Sequence, residues 1–225
     1  MENRVDEGDS VRPDTQSYEA ARPKTLWGEM MLYVLVVAAL RLLVPLIFRI
    51  HIEGKLHIPE EGAVVLAANH KSLWDPIFVV LASRRPVHFM AKEELFRIPI
   101  FGRILPHLKA FPVRRGDNDR NAIRQALSVL REGSVLGIFV EGTRNKSDNG
   151  EKLLPLKPGA AMLASKANAH IVPVAIQRMK RRITVKVGQP LTLPSHLTER
   201  KERYEMISKA LHEVLSQMLE PLPQG

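Results

Sequence analysis

The chain has 225 residues, 45% hydrophobic and 25% charged, the balance of a globular protein long enough to bury a sizeable core. It contains no cysteine, which excludes disulfides, thiolate metal sites and cysteine-bound acyl or redox intermediates. A net charge of +9 favours an acidic partner: nucleic acid, an anionic membrane surface, or phosphorylated or acidic substrates.

In chain order, residues 1–24 are rich in Asp, Glu, Arg, Ser and Pro and read as a disordered polar tail. The next stretch, LWGEMMLYVLVVAALRLLVPLIFRI at 26–50, turns abruptly apolar and predicts a membrane-associating helical segment over 25–48. A full crossing takes about 20 predominantly apolar residues, and this run is interrupted by Arg41 and Pro45. It therefore reads as an interfacial or partly inserted anchor bent near Arg41–Pro45, with a buried core helix as the competing reading. Arg22 and Lys24 on one side and Arg49 and Lys55 on the other leave its orientation unset by charge.

Residues 49–220 alternate strand-like and helix-like segments and predict one catalytic-sized domain. IHIEG at 50–54 alternates as a strand does, and VVLAA at 64–68 is a short buried strand. PIFVVLAS at 76–83 reads as a helix with Asp75 as N-cap and Pro76 at the first helical position. VHFMA at 87–91 gives a further strand. DRNAIRQALSVLREG at 119–133 gives a helix with an Asp cap and Gly133 as its stop. SVLGIFV at 134–140 is a buried strand, GAAMLASKAN at 159–168 a small-residue helix, and AHIVPVAI at 169–176 and RITVKVG at 182–188 are strands. An amphipathic helix over 199–219 carries Met206, Ile207, Ala210, Leu211, Val214, Leu215 and Met218. The order predicts an α/β layered fold, a largely parallel or mixed sheet flanked by helices. In such sheets, ligands gather outside the carboxyl ends of the strands.

Two of the most polar junctions fall at such ends: NHKSLWDP after the 64–68 strand and EGTRNK after the 134–140 strand. On one continuous helix, residues five apart lie roughly 140° apart, so His70 and Asp75 meet only across a turn. There, Asp75 can hold one ring nitrogen of His70 and leave the other ready to take a proton from a hydroxyl. A loop histidine beside a helix cap is the plainer account. In EGTR, Glu141, Gly142, Thr143 and Arg144 offer close backbone approach, a hydroxyl and a phosphate fork, or simply a turn leading into a solvated loop. KAFPVRRG at 109–116 presents Arg114, Arg115 and Gly116 to an anion or to water. Lys92 in MAKEELF either faces developing negative charge or pairs with Glu93 or Glu94 on the surface.

Other chemistries lack their signatures. Ser72 has no G-x-S-x-G elbow, and the phosphate-loop pattern of nucleotide triphosphatases is missing. The eight histidines fall at no metal-ligand spacing, so no metal and no cofactor are expected. RMKRR at 178–182 suits a solvated turn or a basic membrane-binding module. Nucleic acid is not expected as a partner, since neither an aromatic sheet motif nor a helix-turn-helix signature is present.

The four blocks NHKSLWDP, KAFPVRRG, VEGTRNK and IVPVAI, in that order over about residues 50–190, resemble those of the glycerolipid acyltransferases. Within them, the chain is most similar to the 1-acylglycerol-3-phosphate acyltransferases. The resemblance implies acyl transfer from acyl-CoA or acyl carrier protein to lysophosphatidate, giving phosphatidate. It implies His70 as general base oriented by Asp75, and Lys92 as a helper of the thioester or its oxyanion. Arg114 or Arg115 with Gly116 would hold the acceptor phosphate, and Glu141, Gly142, Thr143 and Arg144 would complete that site. Pro173 would shape the pocket wall. The block commonly continues with serine after E-G-T-R, whereas this chain has Asn145. Membrane lipids would be met through residues 26–50, at the cytoplasmic face of the cell membrane. Glycerol 3-phosphate or another lysolipid is the alternative acceptor.

Overall fold

Val64–Ala68 are all buried, and as strand β2 they lie inside a seven-stranded sheet. The structure is a computed structural model describing residues 26–114, 119–146, 153–192 and 199–220. The polar tail expected over 1–24 lies outside these residues. The strands are β1 (Arg49–Glu53), β2, β3 (Val87–Lys92), β4 (Ala110–Val113), β5 (Val135–Phe139), β6 (His170–Met179) and β7 (Arg182–Val187). The helices are α1 (Leu26–Ile47), α2 (Asp75–Ala82), the short α3 (Glu93–Phe96) and α4 (Pro99–Ile104), α5 (Arg120–Arg131), α6 (Gly159–Ala167) and α7 (Arg200–Met218). The sheet order is β1-β7-β6-β2-β5-β3-β4; β6 and β7 run antiparallel and every other neighbouring pair is parallel. This is the mixed α/β sheet that the alternating pattern predicts.

Alternation along β2 divides the core. Val64, Leu66 and Ala68 pack with α1 and α2, and Val65 and Ala67 pack with α5, α6 and α7. Two helices carry clear local boundary signals. The Asp119 carboxylate accepts from the N–H groups of Asn121 (3.1 Å) and Ala122 (3.0 Å), and Gly133 at φ 72° ends the following turn. Ala160, Ala161 and Ala164 let α6 sit close on the sheet, and Asn168 ends it in the left-handed region at φ 49°. In α7 the buried stripe is Ile207, Leu211 and Leu215, narrower than the sequence pattern because Met206 and Ala210 are exposed. The strand β4 emerges from KAFPVRRG, where the sequence reads only a loop. Pro112 is tolerated there because β4 is an edge strand and one side of its ladder needs no donor.

The apolar helix α1 runs without ending through Arg41 and Pro45, the stretch where a bend is expected. Pro45 falls in the last turn, where it forfeits little of the helical ladder. Tyr33, Val37 and Val44 form one buried stripe against the α2 face, and the Tyr33 hydroxyl accepts from the Val87 N–H at 3.2 Å. Only 17% of Met30–Ile47 is buried, too little for a core helix, while Met31, Leu35, Leu42 and Leu46 are exposed. Such an apolar outer face makes α1 a candidate membrane segment by length and composition. Phe48, just past the helix, packs edge-on against Trp74 and Phe78 at 5.2 and 5.4 Å, joining α1 to the start of α2.

Candidate functional site

β2 and β5 end side by side, with Ala68 opposite Phe139, so the segments that follow leave the sheet at the same edge. After β2, Asn69 continues the ladder with its side chain. Its Nδ2 donates to the Ile176 carbonyl at 3.0 Å and its Oδ1 accepts from the Ile176 N–H at 2.7 Å. The buried amide thus imitates one more peptide unit and fixes where the chain departs as His70.

After β5 the chain folds back over His70. Glu141, only 2% exposed, accepts from the His70 N–H through Oε1 (2.7 Å) and from the Leu154 N–H through Oε2 (2.9 Å). The Asn145 N–H donates to the His70 carbonyl at 2.6 Å. The tie at Asn145 runs through the backbone and so does not depend on serine standing there. Glu141→Ala should strand the buried His70 N–H and the half-buried Leu154 N–H and lower stability by about 2–4 kcal/mol, with Glu141→Gln in between. Denaturant unfolding in detergent checks this; an alanine variant as stable as the parent would mean that another contact holds the loops.

Across the turn at 71–74, His70 meets Asp75. The imidazole Nδ1 donates to Asp75 Oδ2 at 2.8 Å, and the N–H groups of Lys71 and Ser72 donate to the same oxygen at 2.6 Å each. The expected N-cap role for Asp75 is corrected here. Asp75 is the first residue of α2, Trp74 takes the cap position, and no side chain caps the helix. The carboxylate points back into the preceding turn, and Pro76, having no N–H, needs no cap acceptor at the next position. A carboxylate only accepts, so Nδ1 carries the proton and Nε2 is the basic nitrogen. Among the described residues, Nε2 has no hydrogen-bond partner.

Phe139 lies flat against the His70 ring, with centroids 4.0 Å apart and planes at 18°, and stacks in turn near Phe89. Gly137 makes the room: a Cβ there would stand 2.3 Å from the Phe89 ring. Sequence reasoning missed Phe139. Its only signal is the Gly137-x-Phe139 spacing on one face of a strand, which core packing produces equally well. Phe139 packs with the α1–α2 side of the core, so the imidazole sits on the face of the sheet to which the apolar helix docks. A shallow hollow near Arg85 lies at the opposite, amino end of the strands, where Arg85 donates to the carbonyls of Pro59, Gly62 and Gly133.

The other sequence-predicted residues are spread along the same carboxyl edge. Lys92 ends β3, two strands from β2 and so about 10 Å away across the sheet, and pairs with Glu94 at 3.0 Å on the surface. Arg114 follows β4 and its Nε donates to Glu93 at 2.6 Å, while Glu93 also holds Arg97 at 3.0 Å. The Arg114 hydrogen bond holds the Glu93 carboxyl below the usual range, against the opposing pull of desolvation and with Arg97 adding to it. Arg115 and Gly116 lie outside the described residues. Gly142, at φ 70°, and Thr143 are exposed, and Arg144 is half-buried. Pro173 is buried inside β6 opposite Ala67, one layer below the edge that carries His70.

A family model described as Acyltransferase matches residues 49–177, more than half of the chain. The chain belongs to the acyltransferase family. Relatives of this acyltransferase include the 1-acyl-sn-glycerol-3-phosphate acyltransferase of Bacillus subtilis strain 168, 29% identical over 205 residues, 86% of this chain and 100% of that one. The protein of the same name from Helicobacter pylori strain J99 is 33% identical over 119 residues, 52% of this chain and 49% of its own. The crystal structure of the 1-acyl-sn-glycerophosphate acyltransferase of Thermotoga maritima superposes with a TM-score of 0.69. That superposition covers 96% of this chain and 86% of the other at 21% identity, and so shows a shared fold. In this acyltransferase, then, a carboxylate-held imidazole with one unengaged nitrogen stands where strand ends meet, an arrangement suited to deprotonating a hydroxyl.

Proposed function

We propose that this acyltransferase moves a fatty acyl group from acyl-CoA or acyl carrier protein to the sn-2 hydroxyl of 1-acylglycerol 3-phosphate, giving phosphatidate. The observation that carries the reading is the buried His70–Asp75 pair with Nε2 unengaged, on the face of the sheet that α1 covers. The acceptor is taken from the names of the relatives in Bacillus subtilis and Helicobacter pylori. His70 Nε2 takes the acceptor's hydroxyl proton as its oxygen attacks the thioester carbonyl. The C–S bond then breaks, and the imidazolium returns its proton to the departing sulfur, releasing a free thiol. Asp75 keeps the imidazole in the required tautomer and offsets the charge it gains.

Arg114, Arg115 and Gly116, with Gly142, Thr143 and Arg144, form the acceptor-phosphate side of the site, and Glu141 holds its loop. Lys92 serves the thioester oxygen from the end of β3; its long stem and surface ion pair with Glu94 leave it free to swing. Residues 25–48 associate with the membrane and 49–220 carry the chemistry, at the cytoplasmic face where thioester donors are available. The purified chain should release thiol from acyl-CoA or acyl carrier protein only when lysophosphatidate is added. Release that is indifferent to lysophosphatidate, or that prefers a phosphate-free acceptor, would overturn the assignment.

A further inference from the structure

The hairpin between β6 and β7 carries a group of cations that acyl transfer does not use. Arg178, Lys180, Arg181 and Arg182 cluster at its tip, and Arg49 joins them because β1 pairs with β7 with Arg49 opposite Arg182. Among the described residues none of the five reaches a carboxylate. Their hydrogen bonds run elsewhere. Arg181 Nε donates to the Ile47 carbonyl at 2.9 Å, at the carboxyl end of α1. Arg178 lies over the Phe48 ring at 5.5 Å and donates a long bond to Ser72 Oγ at 3.4 Å, inside the turn between His70 and Asp75.

The tip is also apolar in one place. Met179 is 74% exposed, Leu46 on α1 is 74% exposed, and both line a groove of about 670 Å³ bounded by Pro45–Arg49 and Met179–Arg182. The exposed end of α1 and Met179 therefore flank one groove, and Arg49, Lys180, Arg181 and Arg182 line it beside them. This sequence of surfaces, apolar and then cationic, matches the passage from acyl chains to headgroups in an anionic bilayer. An acidic protein would complement the cations too, but the exposed methionine stands beside the apolar face of α1, which favours a bilayer as the occupant.

We propose that the β6–β7 hairpin tip is a docking site for anionic phospholipid headgroups, with Met179 entering the acyl region beside Leu46. It rests on the placement of α1 in the membrane given above. The bond from Arg178 to Ser72 connects this contact to the turn that positions the base, so the membrane surface and the site share a structural element.

The test is partitioning of the full chain onto vesicles of phosphatidylcholine alone and of phosphatidylcholine mixed with phosphatidylglycerol. The chain should prefer the anionic vesicles, and high salt should remove the preference. Lys180→Asn, chosen because asparagine tolerates the left-handed backbone at that position (φ 55°), combined with Arg182→Gln, should cut the preference roughly fivefold per cation, about 25-fold for the pair. The charge-keeping pair Lys180→Arg and Arg182→Lys should restore it. An anionic preference unchanged in the neutral pair, or one that survives high salt, overturns the proposal. So does a neutral pair that keeps its vesicle preference and instead loses turnover with acyl carrier protein, which would make the hairpin a protein-docking surface. Equal binding of the parent to both vesicles refutes only the headgroup site, whereas binding to neither refutes the placement of α1. Turnover is not the readout for lipid, so neither result bears on acyl transfer itself.

Discussion

His70→Ala is expected to lower acceptor-dependent thiol release by about 10²–10⁴-fold while the protein stays folded. The side chain and the backbone of His70 do separate jobs. Its N–H and carbonyl are held by Glu141 and by the Asn145 N–H, and alanine keeps both bonds. What alanine removes is the ring, its bond to Asp75 and its contact with Phe139, which together cost about 1–3 kcal/mol of stability. The fold should absorb that loss. The measurement is single-turnover thiol release in lipid–detergent micelles, with circular dichroism to verify the fold. A folded alanine variant turning over at near the parent rate would remove His70 from the role of base.

The second large effect concerns Asp75, and it depends on which atom is used. All three bonds that Asp75 receives in the turn end on Oδ2. An asparagine can place its amide oxygen there and keep every one, because the Lys71 and Ser72 N–H groups repel its NH₂ from that position. Asp75→Asn should therefore preserve the turn and the His70 tautomer, and lose only the charge that steadies the imidazolium. A fall of about 10–100-fold follows, rather than the roughly 10⁴ seen where asparagine selects the wrong tautomer. Asp75→Ala strands two backbone N–H groups and an imidazole N–H in a site 2% exposed. It should cost about 10³-fold in rate and about 2–4 kcal/mol in stability. Rates for both variants beside thermal melts give the comparison; an asparagine variant as inactive as alanine would mean that the amide had turned over.

Phe48 gives these two residues a mechanical link to the apolar helix α1. It ends the α1 stripe, and packs on Trp74 and Phe78 on either side of Asp75. The helix that carries the carboxylate is thus braced by the apolar helix α1, and the imidazole lies on the same side of the sheet.

Elements whose signal is local were legible from the residues alone. VVLAA had to be a buried strand because nothing in it can face water. The helix at 120–131 announced itself through Asp119, its apolar spacing and Gly133. Spacing alone left the pairing of His70 with Asp75 beside a plainer account, and it was the order of the four blocks along the chain that singled the pair out. The helix α1 continues past Arg41 and Pro45, since a proline in a last turn removes little of the ladder. The N-cap reading of Asp75 failed because a carboxylate has several acceptor directions, and the residues around it decide which is used.

By itself, then, the sequence determined most of the alternating strands and helices and the apolar character of α1 through patterns a few residues long, and it singled out the residue pair at the end of β2 through the order of four blocks along the chain. The tertiary structure alone decided that Glu141 is a buried bridge to a backbone 71 residues away, and that Asn69 pairs with Ile176 at a separation of 107. It alone decided that Phe139 covers the imidazole and that Arg114 is held by Glu93. These contacts join segments brought together by parallel strand pairing, and in a parallel sheet neighbours in space are separated along the chain by whole crossover connections.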